Sequence, residues 1–338
     1  MTSRSMLRLL ALLLSLAVVA AACGDSDDDG ESEADATTST PAETTEAPAE
    51  TDATEAPEAD DGFPVTITDD DGEVAIDARP EAIVSLSPTS TEMLFAIGAG
   101  PQVVAVDSFS NFPAEAPITD LSGFQPNVEA IVAFEPDLVV MSGADPDTLA
   151  GLDAVGIPVI IHGAAATLDD TYRQIEQLGA ATGQLDLAVT LVAQMQTDID
   201  ELASQAPADA GLTYFHELDD TLFSVTSSTF IGEVYSLAGL SNVADAADPD
   251  GAAGGFPQLD AEFLIDADPD LIFLADTKCC GQNAETVSGR PGWDVLTAVQ
   301  NGAIIELDDD IASRWGPRVV DFLRIVIDAT ASVTATAG

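Results

Sequence analysis

Positive charge is almost missing from this sequence. Nine Lys and Arg stand against 60 Asp and Glu, a formal net charge of −51, and Lys278 is the one lysine in 338 residues. Such a surface repels phosphate backbones and anionic bilayers. Nucleic acid is therefore excluded as a partner, and a membrane can be met only through an added anchor. Histidine is nearly as rare: His162 and His216 fall one in each half. A receptor for bare zinc or manganese needs a cluster of His and carboxylates, so no protein-bound metal and no cofactor are expected. The Gly-x-Ser-x-Gly elbow of a serine hydrolase, a phosphate loop and a dinucleotide fingerprint are all absent. Acid–base catalysis would fall to carboxylates so numerous that none stands out, which makes an exported enzyme the weaker reading. Past residue 25 no apolar run approaches the ~20 residues of a membrane span.

What is present begins with a secretory pattern. Arg4 and Arg8 supply a positive end, residues 9–19 an apolar stretch, and Ala20-Ala21-Ala22 a small-residue cleavage region. Cys23 follows at once. The arrangement resembles a bacterial lipoprotein signal, which implies that residues 1–23 are a leader and that Cys23 is acylated. Residues 24–62 hold Asp, Glu, Thr, Ala, Ser, Pro and Gly, with no aromatic, no Leu, Ile or Val, and no base. They cannot bury enough apolar surface to offset ordering entropy, so a disordered tether is expected. As a flexible coil it would reach about 35 Å. The expected location is extracytoplasmic, with the body held off the outer face of the cell membrane by lipid.

From Phe63 the texture changes. Ile83-Val84-Ser85-Leu86, Val103-Val104-Ala105-Val106, Leu138-Val139-Val140-Met141 and Pro158-Val159-Ile160-Ile161 are apolar runs bounded by turn residues. Runs of this kind predict parallel strands buried on both faces. A helix is expected from Ser90-Thr91-Glu92 to Gly98. Strand-like runs resume at residues 212–215, 222–225, 271–274 and 303–307. Between the two groups, Leu185, Val189, Val192, Met195, Ile199 and Leu202 fall at helical spacing, predicting one long helix over 184–206. The expected class is α/β: a lobe over 63–183, the linking helix, and a second lobe over 207–338.

The two lobes echo each other. Glu129 is followed by a short helical stretch and then Pro136-Asp137-Leu138; Glu262 by a short helical stretch and then Pro269-Asp270-Leu271, at the same separation. Two copies at matching places predict structural pseudo-symmetry.

Further motifs stand in a definite order: Ser85-Leu86-Ser87-Pro88-Thr89-Ser90-Thr91-Glu92, Asn127-Val128-Glu129, Phe230-Ile231-Gly232-Glu233, Phe256-Pro257-Gln258-Leu259, Arg290-Pro291-Gly292-Trp293 and Gly316-Pro317-Arg318. In this order the chain resembles the cobalamin- and ferric-siderophore-type periplasmic binding proteins of ABC importers, over residues 83–328. The resemblance implies two Rossmann-like lobes, one rigid joining helix and a ligand cleft between the lobes. It implies a metal-chelate ligand (siderophore, cobalamin or haem), an ABC permease as partner, and a monomer. The alternative within the same fold is a lipid-anchored haem or chelate carrier not coupled to an importer.

Three groups of residues carry that expectation. Glu129 and Glu262 would meet permease arginines, one at each lobe tip. Phe109, Phe112, Phe124, Phe256, Trp293 and Trp315, with Ser87 and Thr89, are the expected ligand contacts, because flat apolar faces suit a large amphipathic chelate. Among the bases, Arg314 is expected at the cleft, Arg290 is a second candidate, Arg318 is expected to brace the helix after it, and Arg324 is an ordinary helix residue. Cys279 and Cys280 are adjacent, and export to an oxidising compartment favours a vicinal disulfide between them.

Overall fold

The computed structural model describes residues 62–207 and 211–337. The leader with Cys23, and the acidic segment through residue 61, lie outside them. Among the described residues no helix is long and apolar enough to cross a membrane.

The first lobe opens with an antiparallel hairpin that the sequence pattern did not predict, β1 (Val65–Thr68) and β2 (Glu73–Ile76). Four alternating residues per strand are too short a signal against an acid-rich background. Asp69 closes its turn, its Oδ1 accepting from the N–H groups of Asp71 and Gly72 at 2.9 Å each. The other oxygen accepts from Ile161 N at 2.6 Å and pins the hairpin to the sheet.

Then follow β3 (Ile83–Leu86), α1 (Pro88–Ala96), β4 (Val103–Val106), α2 (Val128–Val132), β5 (Leu138–Met141), α3 (Pro146–Asp153), β6 (Val159–Ile161) and α4 (Leu168–Thr182). The strands are parallel in the order β4-β3-β5-β6. β3 and β5 are buried at every position, as a central parallel strand covered on both faces must be.

Gly183, in left-handed backbone at φ +71°, ends α4 and lets the chain fold back into α5 (Leu185–Ala203). The two helices approach so closely at Gly179 that a Cβ there would lie 2.4 Å from that of Ala188. The buried stripe of α5 is Ala188, Val192, Met195, Ile199 and Leu202, while Leu185 and Val189 are about half exposed at 47% and 48%. Helical spacing alone assigns both to the stripe. They stand on the first turns, away from the face that packs.

The second lobe contains β7 (Thr213–Glu217), α6 (Phe230–Leu237), β8 (Ser241–Asn242), α7 (Ala261–Ala267), β9 (Leu271–Leu274), α8 (Ala284–Ser288), α9 (Thr297–Asn301), β10 (Ile304–Glu306), α10 (Asp309–Ala312) and α11 (Val319–Ala337). Its parallel order, β8-β7-β9-β10, repeats that of the first lobe. α5 packs on α4 of the first lobe and on α11 of the second, so one nineteen-residue helix, about 28 Å long, backs both. The strand expected at 222–225 forms no sheet: Leu222 has φ +69°, and the segment runs irregularly against residues 255–259 with a single antiparallel bridge, Phe223 to Gln258.

The echoed Pro-Asp pairs have a shared structural task. Glu135 (φ +50°) and Asp268 (φ +44°) both leave the helical region just before proline, which stops α2 and α7. Asp137 then accepts from the N–H groups of Glu81 and Ala82 at 2.8 and 3.0 Å, and Asp270 accepts from Thr213 N at 2.8 Å. Asp137 ties the head of β5 to the head of β3, and Asp270 ties the head of β9 to that of β7.

Candidate ligand cleft

In a parallel sheet every loop that follows a strand emerges at the same edge, and that edge is where α/β proteins hold ligands. Here the two edges meet. The loop after β4 carries Asn111, whose amide donates to Asp310 Oδ2 at 2.9 Å, in α10 just after β10. Arg314 reaches back across. It donates to Glu92 Oε1 at 2.8 Å, Asn111 Oδ1 at 3.0 Å, Phe109 O at 3.0 Å and Asp310 Oδ1 at 2.7 Å. Arg318 adds two bonds to Glu92, at 2.8 and 2.5 Å. Lys278 pairs with Asp308 and Asp310 on the second-lobe side.

Glu92 is the hub. Its side chain is 1% exposed, and two guanidiniums from the other lobe neutralise it. A buried carboxylate is tolerated only when paired and hydrogen-bonded, so the seam closes because both arginines are in place. The sequence offered Arg314 as a cleft base but gave no sign of its partner, which lies 222 positions away. In this structure Arg314 is a lobe-to-lobe brace, with four of its five donors engaged. Arg318 braces the seam as well, not the helix that follows it.

Aromatic rings gather beside this seam. Phe109 and Phe124 touch edge to face, centroids 5.6 Å apart, and are 55% and 82% exposed. Gly123 makes the Phe124 loop possible: a Cβ there would lie 2.3 Å from Leu86 O, at the end of β3. Phe112 carries the Arg318 guanidinium 4.4 Å from its ring centre. Phe256, in the loop after β8, is exposed on the second-lobe edge. All four expected phenylalanines thus lie in loops at carboxyl edges.

Other expected contacts are placed elsewhere. Ser87 is buried and caps α1, its Oγ accepting from Ser90 N at 3.3 Å. Thr89 is buried against Gly316, where an added Cβ would lie 3.7 Å from Thr89 Cγ2. Trp293 is 1% exposed in the second-lobe core, with Arg290 over its ring at 4.6 Å. A large apolar ring beside Gly and Pro in the sequence can plug a core as readily as line a cleft, and here it plugs. Trp315 is half-buried and joins the lobes, Nε1 donating to Gln174 at 2.9 Å. Arg290 is held by buried Glu217 through two bonds of 2.6 and 2.5 Å. Cys279 and Cys280 are exposed free thiols in this structure, not a bridge. Glu129 and Glu262 are exposed in the first turns of α2 and α7, which are capped by Asn127 and Asp260.

A hollow of about 610 Å³ lies at the opposite end of the first sheet, beside Asp77, Asp137 and Asp153. It borders the amino ends of the strands and is the wrong end of the fold for a ligand. A hollow of about 200 Å³ does open on the seam, between Glu92, Phe95, Phe112, Glu115 and Arg318.

Two parallel lobes of one topology, backed by a common helix and facing each other at their carboxyl edges, define the two-lobed binding-protein fold. The Periplasmic binding protein family profile matches residues 83–311, and the chain belongs to that family. It is 30% identical over 285 residues to the uncharacterized ABC transporter substrate-binding lipoprotein YvrC of Bacillus subtilis, covering 81% of this chain and 88% of that one. A cobalamin-binding protein of Halobacterium salinarum is 28% identical over 270 residues, 77% of this chain and 72% of that one. Among solved structures, the periplasmic heme-binding protein RhuT from Roseiflexus superposes with a TM-score of 0.65 at 25% identity, covering 75% of this chain and 98% of that one.

Proposed function

We propose that this chain is the extracytoplasmic substrate-binding component of an ABC importer, lipid-anchored through Cys23, which captures a metal chelate between its lobes and delivers it to a permease. The observation that carries this reading is the set of exposed phenylalanines in loops at the carboxyl edges of both lobes, with Phe109 and Phe124 in contact. Phe124 at 82% exposure serves no core. Covering a ring of that size recovers about 1.5–3 kcal/mol, which a ligand face can supply. The matching first-turn glutamates, one per lobe, support docking on a partner that repeats the same chemistry twice. The names of the relatives agree with a chelate ligand and an importer.

The test is a titration of the purified protein by calorimetry with cyanocobalamin, haemin and ferric siderophores. Saturable binding of one chelate per chain, with the chelate recovered unchanged, is the expected result. Turnover of a chelate would replace this reading with an enzyme.

A further inference from the structure

Resting on that reading, we infer that the cargo is a coordinatively saturated chelate of zero or positive net charge, of the ferric trihydroxamate or corrinoid class. Haem and ferric catecholates are excluded by the same features.

The first feature is charge. Seven bases lie among the described residues, and six of them are in ion pairs: Arg173, Lys278, Arg290, Arg314, Arg318 and Arg324. The seventh, Arg79, precedes β3 and sits beside Gly183, at the amino end of the sheet. At the seam Glu92, Asp308, Asp309 and Asp310 face Arg314, Arg318 and Lys278, with Asp309 already occupied by the N–H groups of Thr277, Lys278 and Cys279. An anionic ligand entering there meets no uncommitted cation and an excess of carboxylate. Catecholates of Fe(III) carry a charge of about −3, and propionates give haem its own anions, so both would be repelled.

The second feature is the supply of donor atoms. Iron in haem needs an axial ligand from His, Tyr, Met or Cys. His162 and His216 are fully buried, Tyr172, Tyr214 and Tyr235 are buried, and Met93, Met141 and Met195 are at most 2% exposed. Among the described residues no group of three or more His, Cys, Asp or Glu is disposed to hold a metal. Among the described residues the exposed soft donors are Cys279 and Cys280, and the thiolate is the form that ligates. Burial, Cys280 and then Asp309 and Asp276 push the Cys279 thiol up to about 12. A chelate whose coordination shell is already complete needs none of these donors.

The third feature is exposed apolar surface on the carboxyl edges of both lobes. Phe109, Phe112, Phe124 and Phe256 present hydrocarbon faces without hydrogen-bond donors. Such faces suit a ligand's methylene or methyl periphery, and their quadrupoles favour positive charge. Arg318 over Phe112 already demonstrates that preference within the protein.

The decisive experiment is a calorimetric charge series on the purified protein: a ferric trihydroxamate of charge +1, a neutral one, cyanocobalamin, haemin, and a ferric tris-catecholate of charge about −3. At low salt the best neutral or cationic chelate should bind at least about 100-fold more tightly than the tris-catecholate, and added salt should narrow the gap. Haemin should give no shifted Soret band. A tris-catecholate bound as tightly, or a haemin complex with a protein axial ligand, overturns this inference and leaves the chelate-binding reading intact. Binding of none of the five overturns both.

Discussion

His162 and His216 are buried, and burial alone carries most of the cost of protonating them. Desolvation holds His162 down to about 4 and His216 to about 3, from an ordinary 6.5. His216 spends one ring nitrogen on the Tyr235 hydroxyl at 2.8 Å. Asp276 is the counterweight: burial and then the neighbouring Glu217 raise its carboxyl from 3.8 to about 7. The signs oppose. A depressed histidine loses the protein stability as pH falls through 6.5, because the unfolded chain takes protons that the native one refuses. A raised aspartate loses it stability as pH climbs from 3.8 to 7, because the native state must then ionise a buried acid. At pH 5 the imidazoles favour the unfolded state by about two protons and Asp276 favours the native state by about one. These three groups therefore leave a net slope of roughly one proton, about 1.4 kcal/mol per pH unit, with stability rising toward neutrality. Asp276→Asn should steepen that slope toward two protons and raise stability at pH 8. Urea titrations at pH 5 and pH 8 measure both, and an unchanged slope would refute the assignment. At the cleft, Phe109→Ala and Phe124→Ala should each weaken chelate binding about tenfold, since a ring of that area is worth roughly 1.5 kcal/mol when covered. Both rings are exposed, so the melting temperature should not move. At this scale the sequence separated residues poorly. Phe124 and Trp293 are both large apolar residues flanked by Gly and Pro in the sequence, and nothing local says that one projects into solvent while the other fills a core.

At the scale of elements, each lobe relies on the same knot. Asp137 and Asp270 cross-tie two strand heads through main-chain N–H groups that would otherwise lack partners. Asp137→Ala and Asp270→Ala should each cost about 1–3 kcal/mol, since the first removes the acceptor of two main-chain N–H groups and the second that of one N–H and the Thr213 hydroxyl. Denaturation midpoints of the two variants check it. No loss in either variant would mean that the sequence echo is not a structural one. The strands of both lobes were legible because a central parallel strand must be apolar at every position, a pattern that composition alone exposes. β1 and β2 were not, since each has one face to bury and only four residues in which to show it. The false strand at 222–225 fails for the converse reason. It is apolar, but Leu222 turns left-handed and no neighbouring strand lies in register beyond one bridge. Helix α5 was found from its spacing, although its buried face begins at Ala188.

Across the whole molecule, the seam couples the lobes through Glu92. Neither lobe can present that carboxylate, or the two arginines, to its own interior without the other. Glu92→Ala should destabilise the protein by about 3–5 kcal/mol, the cost of leaving buried charge unmatched. It should also split a single calorimetric transition into two, one per lobe; retention of one sharp transition would show that α4, α5 and α11 hold the lobes together unaided. The docking assignment belongs at this scale too. Glu129→Ala with Glu262→Ala should abolish chelate uptake by cells while leaving the affinity of the purified protein unchanged, and normal uptake would remove both glutamates from the permease contact. One consequence follows from the shared strand order of the lobes. Their tips are near-copies of each other: a short helix, an Asx cap, an exposed glutamate in the first turn. A receptor with its own two-fold axis would find the same chemistry after a half-turn of its guest, so the molecule has two landings that the tips cannot tell apart. Choosing between them falls to parts that have no counterpart in the other lobe, such as the β1–β2 hairpin or the Cys279-Cys280 loop.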